Sequence, residues 1–309
     1  MSSLTAISAL LLSGSILGFL PDGTRSEGFS QGEIFLTPLA ANYNNGFSIS
    51  YLKNENDIIG NDNLISLDLA KNFSIRRWYF KGKNILEVGG GIGTKQYFSS
   101  TKSLSSIDAI SSDDNELLSV GNDYIISNHI GYLAGSLIFR LSWNYESKQT
   151  SRDFDAYLAD DINKEQRDAA EASDAYKNFR GGEKGRSPII NGDNFEFLIA
   201  DIRQQLRYYI GSGVYSTINL NIDNKRFARV GFDYRGDRGA LRLVFGGEVS
   251  TFGYNNWEPN YRATVGIEKS ESPVDGWRLL AFWEEGPSAY GPYHDIKVNH
   301  LGIKATRFF

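Results

Sequence analysis

The sequence predicts an all-β protein: a closed, antiparallel, up-and-down transmembrane β-barrel of about twelve strands, with a helix in its longest extracellular loop. Three observations predict it. The final stretch, Asp295–Phe309, alternates at period two, with Leu301, Ile303, Ala305 and Phe309 on one face and His300, Gly302, Lys304 and Thr306 on the other. The same two-faced pattern recurs along the chain in segments of about ten residues separated by turn chemistry. The connections between segments alternate short and long. A soluble sandwich also alternates apolar and polar positions, but it gives no reason for its connections to alternate in length.

Composition sets the bounds. The chain has 309 residues, with 32 Gly, 17 Tyr, 19 Phe and 5 Trp against 7 Pro, a β-rich and aromatic mixture. Lys and Arg total 32 and Asp and Glu 37, a net charge of -5, which argues against the basic face that a nucleic-acid partner requires. With no Cys there is no disulfide, no thiol catalysis and no Cys-based metal site. A mean hydropathy of -0.34 excludes a bundle of membrane helices. It does not exclude a barrel, whose strands turn half of their residues to a polar lumen.

Taken in order, Leu4–Leu20 is the one continuous apolar run and reads as the core of a secretory leader, so that 1–28 is a removed signal peptide. A single anchor helix is the alternative, but the run falls short of the ~20 apolar residues needed to span. Residues 29–46 read as a periplasmic entry segment, and 47–309 as the barrel. Strands are expected near Phe47–Lys53, Leu64–Arg77, Asn84–Phe98, Asp123–Leu133 and Leu137–Glu146. The last of these sets Leu137, Phe139, Leu141, Trp143 and Tyr145 against Arg140, Ser142, Asn144 and Glu146. In the second half, strands are expected near Asn194–Gln205, Tyr208–Ile218, Arg226–Arg235, Leu241–Phe252, Asn260–Lys269 and Trp277–Glu285, followed by the closing strand. Short turns fall at Phe80–Lys83, Ala134–Ser136, Arg207, Gly236–Ala240 and Ser270–Gly276. The intervening connections are longer, as expected when periplasmic turns are short and outer loops long. The longest loop, 147–193, holds Asp160–Phe179, rich in helix formers with an acidic first turn.

Two stretches resemble a known family. Gly32–Tyr51, with G-E-I-F-L-T-P-L-A-A followed by F-S-I-S-Y, and Tyr290–Ile303, Y-G-P-Y-H-D-I-K-V-N-H-L-G-I, are similar to an uncharacterised bacterial family catalogued as domain of unknown function 1207. The resemblance implies a secreted, envelope-located β-barrel. It supplies no activity and no site residues.

Parity then sorts the charged residues. Asp68, Glu87, Lys95, Arg140, Glu146, Arg229, Asp233, Arg242, Glu248, Arg262, Glu268, Glu284 and Lys304 fall on the lumen side, both signs interleaved. Buried charges must be paired or hydrated. They make either a salt-bridged interior that holds the barrel closed or a narrow passage whose charges select small polar solutes. Catalytic candidates are few. Ser127 and His129 point inward two residues apart, which misplaces them for a lipid substrate outside the barrel. His294 and Asp295 form a pair in the last outer loop, where Asp153 and Asp155 could join them. The run Gly89–Gly91 with Gly93 lacks the following Lys-Ser/Thr of a phosphate loop and reads as a strand with small lumen-facing residues. No His/Asp/Glu set has metal-ligand spacing, and no cofactor is expected.

The sequence thus points to an outer-membrane protein of a diderm bacterium, porin-like, structural or a narrow small-solute channel. The alternatives are an outer-membrane lipid hydrolase using Ser and His on a strand, and a surface adhesion or receptor protein acting through 147–193. The expected partners are outer-membrane lipids, small polar solutes, and the barrel assembly machinery, which would read the last strand through Phe309 as an insertion signal.

Overall fold

The computed structural model describes residues 24–29, 34, 37–40, 45–54, 62–100, 117–150, 189–218, 224–237, 241–272, 275–287 and 297–308. Thirteen strands run in chain order: β1 Arg25–Gly28, β2 Gly46–Asn54, β3 Asp62–Tyr79, β4 Ile85–Ser100, β5 Leu117–Ala134, β6 Leu137–Thr150, β7 Ile189–Arg203, β8 Leu206–Ile218, β9 Arg226–Arg235, β10 Arg242–Phe252, β11 Pro259–Ser272, β12 Asp275–Pro287 and β13 Lys297–Phe308. Each of β2–β13 pairs antiparallel with its sequence neighbours, and β13 returns to pair with β2, so twelve strands close on themselves. Closure removes both edges of the sheet, so its ladder hydrogen bonds have partners throughout the wall.

The alternation of the sequence becomes the two surfaces of the wall. On β13, Leu301 and Ile303 stand exposed outside, while His300, Lys304 and Thr306 are buried inside. Phe47, Ile49, Leu69, Ile92, Ile126, Leu141, Ile210, Val230, Val265 and Leu279 are likewise exposed on other strands. A water-soluble protein does not display an apolar belt of this extent. A barrel seated in hydrocarbon does.

Two turns show how the short end is built. The hairpin between β5 and β6 turns through Gly135 at φ +64, a conformation that costs glycine nothing. The hairpin between β7 and β8 turns through Gln204, φ 54. The tight turn expected at Arg207 therefore lies earlier, at Gln204–Gln205, and Arg207 is already inside β8.

The expected loop helix at 160–179 lies outside the described residues. Among those residues the only helical turns are short 3-10 segments, Lys81–Lys83 and Gly253–Asn255. Phe309, His294, Asp295, Asp153 and Asp155 also lie outside them, as does the proposed leader up to residue 23. Arg25–Gly28, assigned above to the end of the leader, is the extra strand. β3 runs past the start of β2, and β1 pairs with that overhang in the register Arg25↔Tyr79 to Gly28↔Arg76. Glu27 accepts a hydrogen bond from the Tyr79 hydroxyl, 2.9 Å.

Of the segment expected to be a periplasmic entry strip, Ile34 and Thr37–Ala40 lie inside the barrel, whereas Phe29 is exposed beside β3. Leu39 is 1% exposed and packs on Val244 of β10 and Leu280 of β12. Ile34 packs on the buried cluster of Ile138, Leu198, Ala200 and Tyr209, contributed by β6, β7 and β8. Two apolar clusters inside the barrel thus include residues of its own N-terminal segment.

Candidate functional site

Register turns the lumen charges into rows. Arg242, Glu268 and Arg278 are direct neighbours across β10, β11 and β12. Glu248, Arg262, Glu284 and His300 follow one another across β10 to β13. Asp68, Lys95, Asp123 and Lys148 do the same across β3 to β6. Sign alternates along the first and third rows, and the second alternates until it ends on a histidine. Opposite charges on adjacent strands stabilise the ladder, and like charges there would oppose it.

The pairs are close. Glu268 accepts from Arg242 and, at 2.5 Å, from Arg278, with Arg235 3.9 Å away. Arg229 Nε donates to Glu196 at 2.5 Å and its Nη1 lies 3.5 Å from Glu248. Arg262 sits 3.7 Å from Glu248 and 3.0 Å from Glu284. Lys304 donates to Asp68 at 2.6 Å, and Glu146 lies 3.5 Å from Lys148. Asp233 pairs with Arg207 and also accepts from the Leu39 N–H at 2.9 Å. Lys95 lies over the Tyr97 ring, 5.1 Å from its centroid.

Small residues make room for these long ones. Tyr209, Gly231 and Glu248 stand in one row across β8, β9 and β10. A Cβ on Gly231 would come within 2.3 Å of the Tyr209 hydroxyl, which passes over the glycine to donate to Glu248 at 3.0 Å. The Gly89–Gly91 run has the same role. A Cβ on Gly89 would lie 2.6 Å from the His129 ring, and one on Gly91 would lie 2.0 Å from Asn72 Oδ1.

The Ser127–His129 pair is placed inward, and His129 is engaged with charged neighbours. Its Nε2 lies 3.3 Å from Glu87, and Arg140 Nη2 lies 3.2 Å from Nδ1. A neutral ring protonated at Nε2 satisfies both contacts. Arg77 completes a chain Arg77–Glu87–His129–Arg140 across β3 to β6. Ser127 instead lines a lumen cavity shared with Thr37 and Asn144. Both described histidines, His129 and His300, face inward, so among the described residues no histidine meets the lipid side.

Several members of these networks escape a parity count. Arg77 falls on the outward parity of β3, and a bulge between Ser74 and Arg76 turns it inward. Arg207 was hidden by the misplaced turn. Glu196, Arg278, Asp123 and Lys148 carry the inward parity of their strands and could have been found by extending it. Nothing in the sequence marked Leu39.

The N-terminal segment crosses the lumen. The Thr37 hydroxyl accepts from Asn72 Nδ2 on β3 at 3.1 Å, and the Thr37 carbonyl accepts from Arg235 on β9 at 3.4 Å. These two strands lie on opposite sides of the twelve-strand ring. Thr37 and Pro38 line a cavity of about 230 Å³ toward the outer half, bounded by Asn144, Asn194, Arg229, Tyr254 and Asn260 among others. Leu39 and Ala40 line a smaller one, about 50 Å³, beside Leu52, Lys95 and Lys304.

Solved structures share the architecture. Outer membrane phospholipase A from Escherichia coli is similar with a TM-score of 0.51 at 11% identity, over 90% of this chain and 93% of that one. An outer membrane phospholipase dimer with bound calcium from Salmonella typhi aligns at 0.49 and 12% identity, over 90% and 94%. The KdgM porin in complex with disordered oligogalacturonate aligns at 0.41 and 8% identity, over 84% and 98%. At 11% identity the likeness to the Escherichia coli phospholipase is one of fold. No family model and no curated protein matches the sequence.

Proposed function

We propose that the chain is an outer-membrane channel barrel of a diderm bacterium, admitting small polar solutes through a charge-paired lumen that its own N-terminal segment keeps narrow. The observation that carries this reading is the crossing at Thr37–Ala40. It is tied to opposite walls by side-chain hydrogen bonds and one small apolar cluster. A rigid structural barrel needs no segment through its middle, whereas a channel that must be kept narrow does. The paired charges on either side of the crossing leave a polar, water-compatible wall. Insertion would proceed through recognition of the last strand and Phe309 by the barrel assembly machinery. A surface role for loop 147–193 remains a separate proposal, tested by deleting 160–179.

The test is conductance. Leu39→Asp sets a carboxylate among Val244, Leu280 and the Asp233 carboxylate, and should expel the crossing. Reconstituted wild type is expected to show small or rare openings in planar bilayers, and the variant larger and longer ones. Equal, absent conductance from both would overturn the channel reading. Lipid turnover by the wild type, lost in His129→Ala, would replace it with the hydrolase.

A further inference from the structure

We propose that the larger lumen cavity is a binding site for a neutral, hydroxyl-bearing ring compound of the sugar or cyclic-polyol class. The inference rests on the reading that solutes enter the lumen, and it names which ones the site holds. One wall of the cavity is aromatic. Tyr215, Phe227, Phe252 and Tyr254 form a continuous group, with ring centroids 5.6 Å apart for Tyr215 and Phe227, 5.9 Å for Phe227 and Phe252, and 5.1 Å for Phe252 and Tyr254. Such a wall takes the C–H face of a ring.

Amides flank the aromatic group on the adjoining strands: Asn194 of β7 stands beside Tyr215, and Asn260 of β11 beside Ser250 on the strand that carries Phe252. Asn144 Nδ2 donates to Asn194 Oδ1 at 2.9 Å, and Asn194 Nδ2 donates to Glu146 at 3.2 Å. Asn260 Nδ2 donates to both Glu284, 3.1 Å, and the Pro287 carbonyl, 2.9 Å. Those two acceptors fix the amide, so Asn260 Oδ1 is the atom left over. It is buried, the residue being 2% exposed, and takes no hydrogen bond from the described residues. A buried acceptor of this kind calls for a donor such as a hydroxyl.

Charge excludes the ionic alternatives. Arg229 is shared by Glu196 and Glu248, Arg262 by Glu248 and Glu284, and Glu146 is near Lys148. An anion or cation entering would compete with these pairs, while a neutral solute leaves them intact. Burial holds the Tyr254 phenol up at about 12, so it remains a neutral hydroxyl. An apolar face with an acceptor beside it, among already paired ions, fits a sugar better than an amino acid or a carboxylate.

The experiment is a calorimetric titration of the full-length protein, folded in detergent, with glucose, galactose, N-acetylglucosamine, maltose and myo-inositol. Gluconate and arginine serve as charged comparisons. Saturable binding of at least one neutral compound, weaker for both charged ones, is expected. Asn260→Leu and Tyr254→Ala should each weaken it about tenfold. Tyr254→Phe keeps the ring and should cost less, which guards against a variant that merely misfolds. Tighter binding of gluconate or arginine, or no saturable binding by any of the five, would overturn the assignment. The channel reading fails separately: a protein that binds sugar but never conducts keeps the site and loses the channel. One that conducts without binding does the reverse.

Discussion

Glu268 shows at the scale of one residue how this interior is held. It is 1% exposed and is approached by three guanidinium groups, on β9, β10 and β12. A carboxylate in such a place is stable because its partners are fixed by neighbouring strands. Removing its charge leaves buried cations without compensation. Glu268→Gln is expected to lower the unfolding free energy by about 3 to 5 kcal/mol. Urea unfolding of the protein in lipid vesicles measures it, and a loss under ~1 kcal/mol would mean that solvent already screens the cluster. Parity alone placed Glu268 and Arg242 on the polar side of their strands. It could not show that Arg235 and Arg278 converge on the same oxygens. That depends on which residues stand opposite one another, and register is a property of the pairing. Arg77 is the sharper case, since its inward position follows from one bulge that no local pattern announced.

Single elements carry the next level of consequence. β3 is long enough that its last turn-side residues would present an unpaired edge, and β1 covers them. Phe29 N–H continues the ladder by donating to the Ile75 carbonyl at 2.9 Å. A cut after Gly28, as the leader reading had it, would discard this strand. N-terminal sequencing of protein extracted from membranes is therefore expected to find a start before Arg25. A start at Phe29 would show that the edge is left open or covered by something else. The crossing at Thr37–Ala40 works at this level too. Asn72, whose side chain donates to Thr37, also donates its backbone N–H to Asn45 Oδ1 at 2.8 Å. Gly91 leaves the room that the Asn72 amide occupies. The glycine run thus bears on the position of a segment far from it in sequence.

Across the whole molecule the charges form rows that nearly cancel, so the lumen has no strong field of one sign. Wild-type openings should discriminate little between potassium and chloride. Arg262→Ala strips the cation shared by Glu248 and Glu284, and should shift the reversal potential toward cation preference. An unchanged reversal potential would place the conducting path away from this row.

The sequence by itself determined the wall: period-two alternation, turn chemistry and the short-long order of connections are local, and they sufficed for a closed antiparallel barrel with polar residues inside and a greasy exterior. Tertiary structure alone decided which charges meet, since pairing follows from register, and a single bulge or a turn moved by three residues changes it. It alone decided that Leu39 lies in the middle of the lumen. A short apolar stretch reads the same whether it lies along the periplasmic rim or inside the barrel, and only a closed wall lined with Asp233, Val244 and Leu280 gives it a place to be buried.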